Sequence, residues 1–441
     1  MSLRIPAKVE KLRKALHVKA KENPQFRFYQ LYDKLYRWDV LVYAYRLCRA
    51  NGGAAGVDGE TFEQIASKSS KAWLEELANT LREKTYRAGP VRRVWIPKAN
   101  GKQRPLGIPT IRDRVVQTAA VLVLEPIFEA DLQPEQYAYR PNRGALAAVK
   151  HVHRLIRNGH TEVVDADLSG YFDTIPHAEL MRSVARRIVD RQLLALIKQW
   201  LVAAVEEDDG RGNRCRSTRA KDEKRGIPQG APISPLLSNL YMRRFILGWK
   251  VLGHQQRLKA YIVNYADDFV ICCRGSATEA MTVMRAMMQR LKLEVNEDKT
   301  GLCRIPEQSV DFLGYTIGRC YSKQTGRAYI GTRPSSKSVQ RVTRAVSELT
   351  TRRMTWRTAG ETVVRLNRLL TGWSNYFCLG PVSKAYRAVD SHSRLRLRWW
   401  LCRKHKQAGK GTSLYPDEYL YETLGLICLP KRTCNLPWAK A

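Results

Sequence analysis

The sequence is poor in acidic residues, and it has no long apolar run. Its 441 residues contain 76 Lys and Arg but only 41 Asp and Glu, so the formal net charge is +35. The absence of any apolar run of about 18 residues excludes a membrane-spanning helix. The opening residues, MSLRIPAKVE, lack the apolar segment of a secretory signal.

Cysteine and histidine are present, but neither is arranged for cross-linking or metal binding. The ten cysteines contain no CxxC pair, and the eight histidines form no cluster with metal-ligand spacing. These patterns argue against a disulfide framework or a structural zinc site, and they favour a reduced, cytoplasmic protein. Because 44% of the residues are hydrophobic, the chain can bury real cores, and its length suggests two or three folding units.

The positive charge is the main compositional signal of function. An excess of this size indicates a polyanionic partner, with nucleic acid as the first candidate. The cations are distributed along the whole chain, which favours a long groove that follows a nucleic-acid backbone over a single basic tail. A protein of the membrane surface, or one that is merely basic, is the alternative on charge alone.

Apolar periodicity predicts an α+β body followed by a helical module. Helices are predicted over residues 31–50, 70–86, 111–130, 144–158, 177–205 and 277–292. Strands are predicted over 91–97, 161–168, 293–295, 310–317 and 327–331, with two more within 261–273. The turn residues 98–102 predict a hairpin, and 206–225 is predicted to be a loop or an exposed hairpin. After the Pro-Ser-Ser sequence at 334–336, residues 337–405 are predicted to be wholly helical.

Two acidic clusters stand on β-rich segments of this basic chain. Asp165 and Asp167 lie in VVDADLSGYFD, and Asp267 and Asp268 lie in NYADDFV. Carboxylates beside apolar residues suffer desolvation and mutual repulsion, and a divalent metal relieves both. Mg²⁺ suits a few carboxylates together with phosphate oxygens. Spacing alone does not separate Asp165 from Asp167, since residues two apart on a strand share a face. A simple polar hairpin turn is the alternative for the second cluster.

The order of motifs along the chain resembles the group II intron reverse transcriptase–maturase family, over about residues 30–410. The matching blocks are RRVWIPKANGKQRPLGIPTIRDRVVQ (92–117), YAYRPNRGA (137–145), VVDADLSGYFDTI (163–175), GIPQGAPISPLLSNLYM (226–242), YADDFVI (265–271), LEVNEDKT (293–300), FLGY (312–315) and GWSNYF (372–377). Eight blocks in the family's order make the resemblance specific. One departure is Ala231, where the family often has a second glycine.

The resemblance implies a right-hand polymerase fold of class α+β. Fingers and a palm with an antiparallel sheet are followed by an all-helical thumb, or maturase X domain. The implied divisions are a basic N-terminal arm (1–30), fingers with an N-terminal extension (31–160), the palm (161–332), the thumb and X domain (333–410) and a C-terminal tail (411–441). The tail is expected to contain no endonuclease domain, so priming would need a pre-existing 3′ end.

The resemblance also assigns roles to individual residues. Asp167, Asp267 and Asp268 are implied to be the catalytic ligands of two Mg²⁺ ions, and Phe172 to exclude a 2′-hydroxyl; ordinary core packing is the alternative for Phe172. The remaining residues implied to contact the incoming dNTP are Lys98, Arg104, Gln229, Gly230 and Lys299.

A second group of implied contacts is with RNA. The segment 391–411 is basic, contains no acid and is interrupted by Trp399 and Trp400, a composition suited to RNA. The cations implied to bind RNA are Arg394, Arg396, Arg398, Arg403, Lys404 and Lys406. The arm adds the cations Arg4, Lys8, Lys11, Arg13, Lys14 and Lys19. A helix with a merely solvated basic face is the alternative.

The function expected from the resemblance is RNA-directed DNA polymerisation combined with maturase activity on a group II intron RNA. The implied partners are an RNA template, a DNA primer, dNTPs and intron RNA, with no membrane, and association with the nucleoid during mobility. Two alternatives stay open at this point. One is a domesticated relative acting in defence or spacer acquisition, and the other is an RNA-binding splicing factor with a vestigial polymerase site.

Overall fold

A computed structural model of the protein describes residues 3–97, 101, 103–208, 214–322, 324–409 and 411–433. The helices in this part of the chain are α1 (Ala7–Glu22), α2 (Tyr32–Leu35), α3 (Trp38–Asn51), α4 (Phe62–Lys68), α5 (Ser70–Arg82), α6 (Ile111–Glu129), α7 (Ala145–Arg157), α8 (Tyr171–Thr174), α9 (His177–Ala185), α10 (Arg191–Leu201), α11 (Arg219–Asp222), α12 (Ser234–Val251), α13 (His254–Arg257), α14 (Ala277–Arg290), α15 (Ser336–Leu349), α16 (Ala359–Tyr376), α17 (Ser383–Lys404) and α18 (Leu429–Arg432). A 3₁₀ turn at Arg352–Met354 and a π turn at Tyr419–Thr423 accompany them.

The strands form three sheets. They are β1 (Val91–Pro97), β2 (Gln103–Ile108), β3 (Glu162–Asp167), β4 (Val205–Asp208), β5 (Arg214–Ser217), β6 (Tyr261–Tyr265), β7 (Asp268–Cys273), β8 (Gly301–Arg304), β9 (Val310–Phe312), β10 (Tyr315–Tyr321) and β11 (Ala328–Pro334). The central sheet has the order β6-β7-β3-β8, the outer sheet β2-β1-β4-β5 and the third sheet β11-β10-β9. The central sheet is antiparallel throughout, as expected for the α+β class.

The outer sheet joins two hairpins that are far apart in sequence. Strands β1 and β2 pair antiparallel, which confirms the hairpin predicted around residues 98–102. Strand β1 also pairs in parallel with β4, through Val91 opposite Val205, and so attaches the β4–β5 hairpin to the same sheet. The stretch 206–225 was predicted as a loop or an exposed hairpin. Its hairpin strands, β4 and β5, extend the outer sheet.

Strands β3, β6 and β7 of the central sheet are buried on both faces, and their alternate residues enter different cores. On β7, Phe269 and Ile271 join the first core, which contains the buried faces of α1, α3, α5, α6, α12 and α14. Val270 and Cys272 join the second core, which contains α7, the third sheet and the helices α15, α16 and α17. The helical module after Pro334 therefore shares a hydrophobic core with one face of the central sheet, together with α7 and the third sheet.

Helix α6 lies at the centre of the first core. It is apolar on nearly all sides, which is typical of a helix buried among others. Thr110 caps its N-terminus by accepting a hydrogen bond from the Asp113 amide. The buried Asp113 carboxylate is satisfied by Tyr86, by the Thr110 hydroxyl and by the Gly89 amide. The first helix, α1, packs against α6 through an ion pair between Arg13 and Glu125 (2.5 Å).

Several local predictions differ from the structure. The helix predicted over 177–205 is two helices, α9 and α10, and Val205 begins β4. The segment 337–405, predicted to be wholly helical, is interrupted between α15 and α16 and between α16 and α17. The helix predicted over 31–50 is two helices, because the backbone becomes extended at Arg37, with ψ of 131°. The strand predicted over 293–295 is a single bridge between Val295 and Leu168. Strand β8 was not predicted, because its four residues alternate in burial without a strong apolar pattern.

Candidate catalytic site

The three predicted catalytic aspartates lie together at one end of the central sheet. Asp167 is the last residue of β3, Asp268 is the first residue of β7, and the two are directly opposite in the antiparallel register. Asp267 precedes Asp268 in the turn that joins β6 to β7. Two acidic motifs about a hundred residues apart in sequence thus become one cluster, because antiparallel pairing brings a strand end beside a strand start.

The turn that carries Asp267 is held by Asn264, a residue that the sequence did not single out. Asn264 is 1% exposed, and its amide group donates to the Ala266 carbonyl over 2.8 Å. Its own backbone bonds to Glu135 and Tyr137 on the segment before α7. Ala266 has φ of +59°, a left-handed conformation that costs energy for a residue other than glycine. Asp267 therefore lies on a turn whose backbone is fixed by the hydrogen bonds of Asn264.

Asp167 already has a cationic partner. Lys299 Nζ lies 2.7 Å from Asp167 Oδ2, and Asn296 Nδ2 lies 3.2 Å from the same oxygen. The Asn296 amide also donates to the Asp167 carbonyl, so the turn after α14 is tied to the end of β3. The hydrogen bond to Asp167 raises the pKa of Lys299. The family resemblance implied that Lys299 contacts the incoming dNTP, and in this structure it bonds to a carboxylate of the cluster.

The other carboxylates of the cluster are poorly neutralised. Burial, followed by repulsion from Asp165, Asp267 and Asp167, raises the pKa of Asp268 to about 7. Burial and the neighbouring Asp167 raise the pKa of Asp165 to about 6. Burial is also the main cause of the raised pKa of Asp267. Each carboxylate would be stabilised in its charged form by a cation.

A hard divalent cation suits this donor set, which consists of carboxylate oxygens. Among the described residues, no group of three or more His, Cys, Asp or Glu side chains is arranged to hold a metal ion as it stands. Lys299 and Asn296 engage one oxygen of Asp167, so binding an ion through all three aspartates requires side-chain rotation. The carboxylate oxygens of the cluster suit a divalent cation. The side-chain rotamers in this structure are those in which Lys299 neutralises Asp167.

A chain of polar contacts links the outer sheet to the loop after α11. Arg104 donates to the Gln229 side chain over 2.9 Å, and Gln229 donates to Asp173 over 3.1 Å. The Gly107 amide donates to the Gln229 carbonyl over 2.6 Å. Gly230 has φ of +107°, and a Cβ there would lie 2.6 Å from the Gly107 carbonyl oxygen. Glycine is thus required at position 230 by close backbone approach.

These contacts border a cavity of about 400 Å³ between the outer sheet, Asp173 and residues 226–229. The predicted sugar contact, Phe172, precedes Asp173 on α8 and is 6% exposed. It packs edge-on against Tyr171 in the first core, and its carbonyl accepts from the Ile227 amide. Phe172 is therefore mainly a core residue in this structure. Lys98 lies outside the described residues.

The predicted RNA-binding cations of α17 fall into two groups. Arg394 and Arg398 both pair with Asp417. Arg396 donates to the carbonyls of Ser347 and Thr350 at the end of α15. Lys404 donates to the carbonyls of Thr355 and Arg357.

The remaining two cations, Arg403 and Lys406, are exposed. Contacts within the protein therefore engage four of the six cations, and two face outward. Of the six predicted cations of the N-terminal arm, Arg13 pairs with Glu125, and the other five are exposed: Arg4, Lys8, Lys11, Lys14 and Lys19. No helix in the described residues is both long enough and apolar enough to cross a membrane.

Comparison with protein families identifies two regions of the chain. Residues 96–317 match the family described as reverse transcriptase (RNA-dependent DNA polymerase). Residues 339–415 match the group II intron maturase-specific domain. The first match contains the central sheet with its aspartates and all of the Gln229 loop contacts, and the second contains most of α15 and all of α16 and α17.

Individual relatives agree with these matches. Protein YkfC of Escherichia coli is 32% identical over 367 residues, which are 75% of this chain and 93% of YkfC. The group II intron-encoded protein LtrA of Lactococcus lactis is 28% identical over 362 residues, 68% of this chain. The chain spans 58% of the length of LtrA. A solved chain of a partial Cas6-RT-Cas1--Cas2 complex covers 59% of this chain at 21% identity, with a TM-score of 0.35, too low to bear on function.

The family matches and the relatives lead to the same classification. The polymerase family covers half of the chain, and the maturase-specific domain follows it in the order that the motifs predicted. The protein belongs to the group II intron reverse transcriptase–maturase family, and it is an RNA-directed DNA polymerase with a maturase domain.

Proposed function

We propose that Asp167, Asp267 and Asp268 hold two Mg²⁺ ions for primer extension on an RNA template. The observation that carries this proposal is the register that sets Asp167 opposite Asp268, next to Asp267. When bound, the ions would supply charge stabilisation for an in-line displacement at the α-phosphate of a dNTP. The residues themselves present carboxylate oxygens from a rigid sheet end, and the raised pKa of Asp268 reflects charge that a cation would neutralise.

Lys299 acts, in this proposal, as a resident counter-ion. Its ammonium group neutralises part of the cluster while no substrate is bound, through its contact with Asp167. With Asp167 holding an ion, the Lys299 ammonium group would be free to meet the triphosphate or pyrophosphate. Arg104 supplies a second cation near the proposed nucleotide pocket, where it now bonds to Gln229.

The nucleotide pocket is proposed to lie between the outer sheet and the Gln229 loop. Gln229 lines this pocket and Gly230 follows it, and Lys98, which lies outside the described residues, is proposed to contact the dNTP from the family resemblance alone. Phe172 would approach the sugar from the first core and oppose a 2′-hydroxyl by its bulk. We accordingly assign residues 31–160 to fingers, 161–332 to the palm and 333–410 to the thumb and X domain, flanked by the arm 1–30 and the tail 411–441.

Intron RNA and the template–primer duplex are the proposed partners of the cationic surface. Of the six cations predicted to bind RNA, Arg403 near the end of α17 and Lys406 just after it are exposed, so they carry the direct RNA contacts in this proposal. Arg394, Arg396, Arg398 and Lys404 shape the surface by fixing α17 against its neighbours. The exposed lysines of α1 add to the charge. During mobility the protein would act on DNA, and hence at the nucleoid.

Primer extension tests the metal assignment. Oligo(dT) on poly(rA) is extended by wild-type protein in Mg²⁺, and the variants D167N and D267N are compared at equal concentration. Because Asn removes a charged oxygen ligand, we expect both variants to lose at least about a thousandfold in rate. The control is D298N, an exposed aspartate on the turn that contains Lys299. Full extension by D267N would refute the assignment, and a wild-type protein inert on every template would favour a vestigial polymerase site.

A further inference from the structure

An exposed tryptophan stands on the surface of the helical module. Trp356 is 73% exposed, more than any other tryptophan among the described residues. It lies in the segment 350–358, which joins α15 to α16. Tryptophan is usually well buried, because its large ring gains most from leaving water. An exposed ring of this kind indicates a surface that binds something.

The segment that presents Trp356 is fixed at three points. At its start, Arg396 donates to the carbonyl of Thr350 over 3.1 Å. In its middle, Lys404 bridges the carbonyls on either side of Trp356, at 3.0 Å from Thr355 and 2.7 Å from Arg357. At its end, Thr358 and Glu361 form a capping box on α16. The two cations of α17 that were predicted to contact RNA thus hold the tryptophan in place.

The surroundings of the ring are cationic. Arg357 lies over the Trp356 ring, 5.0 Å from its centroid. Arg352 and Arg353 are exposed on the preceding 3₁₀ turn, and Arg403 is exposed next to Lys404 on α17. No acidic residue occurs between positions 349 and 360 or between 391 and 411. An aromatic ring among cations suits a nucleic acid with an unpaired base, because the ring stacks on the base and the cations meet the phosphates.

A protein partner would favour a different surface. The centres of protein interfaces are depleted in charge around their aromatic anchors, whereas Arg357 lies over this ring and Arg352 and Arg353 are exposed in the same segment. We propose that Trp356 stacks on an unpaired base of bound RNA, with Arg352, Arg353 and Arg403 contacting the flanking phosphates. This inference rests on the proposed function only in taking structured RNA as the partner, and it adds a site that recognises a bulge or loop.

Binding to a matched pair of RNAs tests the inference. One RNA is a hairpin with a single bulged adenine, and the other is the same hairpin fully paired. Since stacking of one base on an aromatic side chain contributes severalfold in affinity, we expect wild-type protein to prefer the bulged RNA by at least about fivefold. W356A should remove that preference, and W356F should retain most of it. The matched control is W38A, which removes another partly exposed tryptophan at the start of α3.

The outcomes separate this surface from the polymerase. If W356A discriminates between the two RNAs as wild type does, or if wild type does not discriminate, the stacking proposal is wrong. Extension of oligo(dT) on poly(rA) is measured on the same wild-type preparation. Wild-type protein that discriminates without extending would refute the proposed polymerase site and leave the Trp356 surface standing. Loss of preference in W38A would show that the effect is not specific to Trp356.

Discussion

The two charged regions of the molecule are neutralised in opposite ways. The acidic end of the central sheet holds four carboxylates, and Lys299 is the cation bonded to one of them. In the basic helix α17, by contrast, Arg394 and Arg398 share Asp417, and Arg396 and Lys404 bond to backbone carbonyls. Acidic side chains that lack neutralising partners in a basic protein indicate a catalytic or binding site. Cations that already bond within the protein indicate a structural role. Counting charges along the sequence does not make this distinction.

Removing a carboxylate from the sheet should give the largest effect, and stability and activity should change in opposite directions. D268N is expected to lose about a thousandfold in primer extension, because a proposed metal ligand is replaced by a neutral amide. Its thermal midpoint in EDTA should rise, because burial and repulsion oppose the charge of Asp268. A midpoint that falls together with activity would mean that Asp268 is structural, and the contrast with α17 would fail.

Replacing Asp417, the carboxylate that pairs with α17, should lower stability and leave primer extension unchanged. D417N leaves Arg398 without a carboxylate partner and leaves Arg394 with Asp390 alone. Because these pairs are partly exposed, we expect a loss of only about 1–2 kcal/mol in the free energy of unfolding. Urea denaturation measures that loss, and primer extension at a temperature where the variant is folded should stay close to wild type. An unchanged stability would show that these arginines are not held by Asp417 in solution.

Reversing the charges of Arg403 and Lys406, the two exposed cations of the predicted RNA-binding set, should weaken RNA binding without loss of stability. For R403E/K406E we expect about a tenfold lower affinity for structured RNA, and a salt dependence of log K shallower by about 1 per lost phosphate contact. The control K68E/K84E makes the same charge change at exposed lysines of the N-terminal helical region. Equal losses in both variants would point to diffuse attraction by the net charge instead of a site on α17.

The smallest expected effect is a pH dependence of stability at the sheet end. Asp268 has a raised pKa in the folded state, so its stabilising contribution is fully present below about pH 4, the value for an unfolded aspartate, and is lost as pH rises to about 7. In EDTA, the thermal midpoint of D268N minus that of wild type should therefore grow from pH 4 to 7 and level off above. A difference that is constant with pH would contradict the burial of charged Asp268.

The sequence predicted most of the elements and the meeting of the aspartates, because the strands around them are short apolar runs and the motifs are specific. It could not predict the role of Asn264, since a buried asparagine that holds a turn by a side-chain hydrogen bond leaves no recognisable sequence pattern. The partner of Lys299 was also beyond reach, because it depends on the turn at Asn296 folding back onto β3. The α17 cations were predicted by composition, but composition cannot tell Arg403 from Arg398, whose difference is the presence of Asp417 nineteen positions away.

The second core, which the central sheet shares with the maturase helices, has a consequence for how the protein unfolds and evolves. Since Val270 and Cys272 of the polymerase strand lie in the same apolar cluster as Leu370 and Trp373 of the maturase helices, neither half can melt without exposing the other. A single proteolytic or mutational lesion in α16 would therefore remove both activities together. The two halves are expected to persist as one heritable unit, because selection for either one preserves the interior of the other.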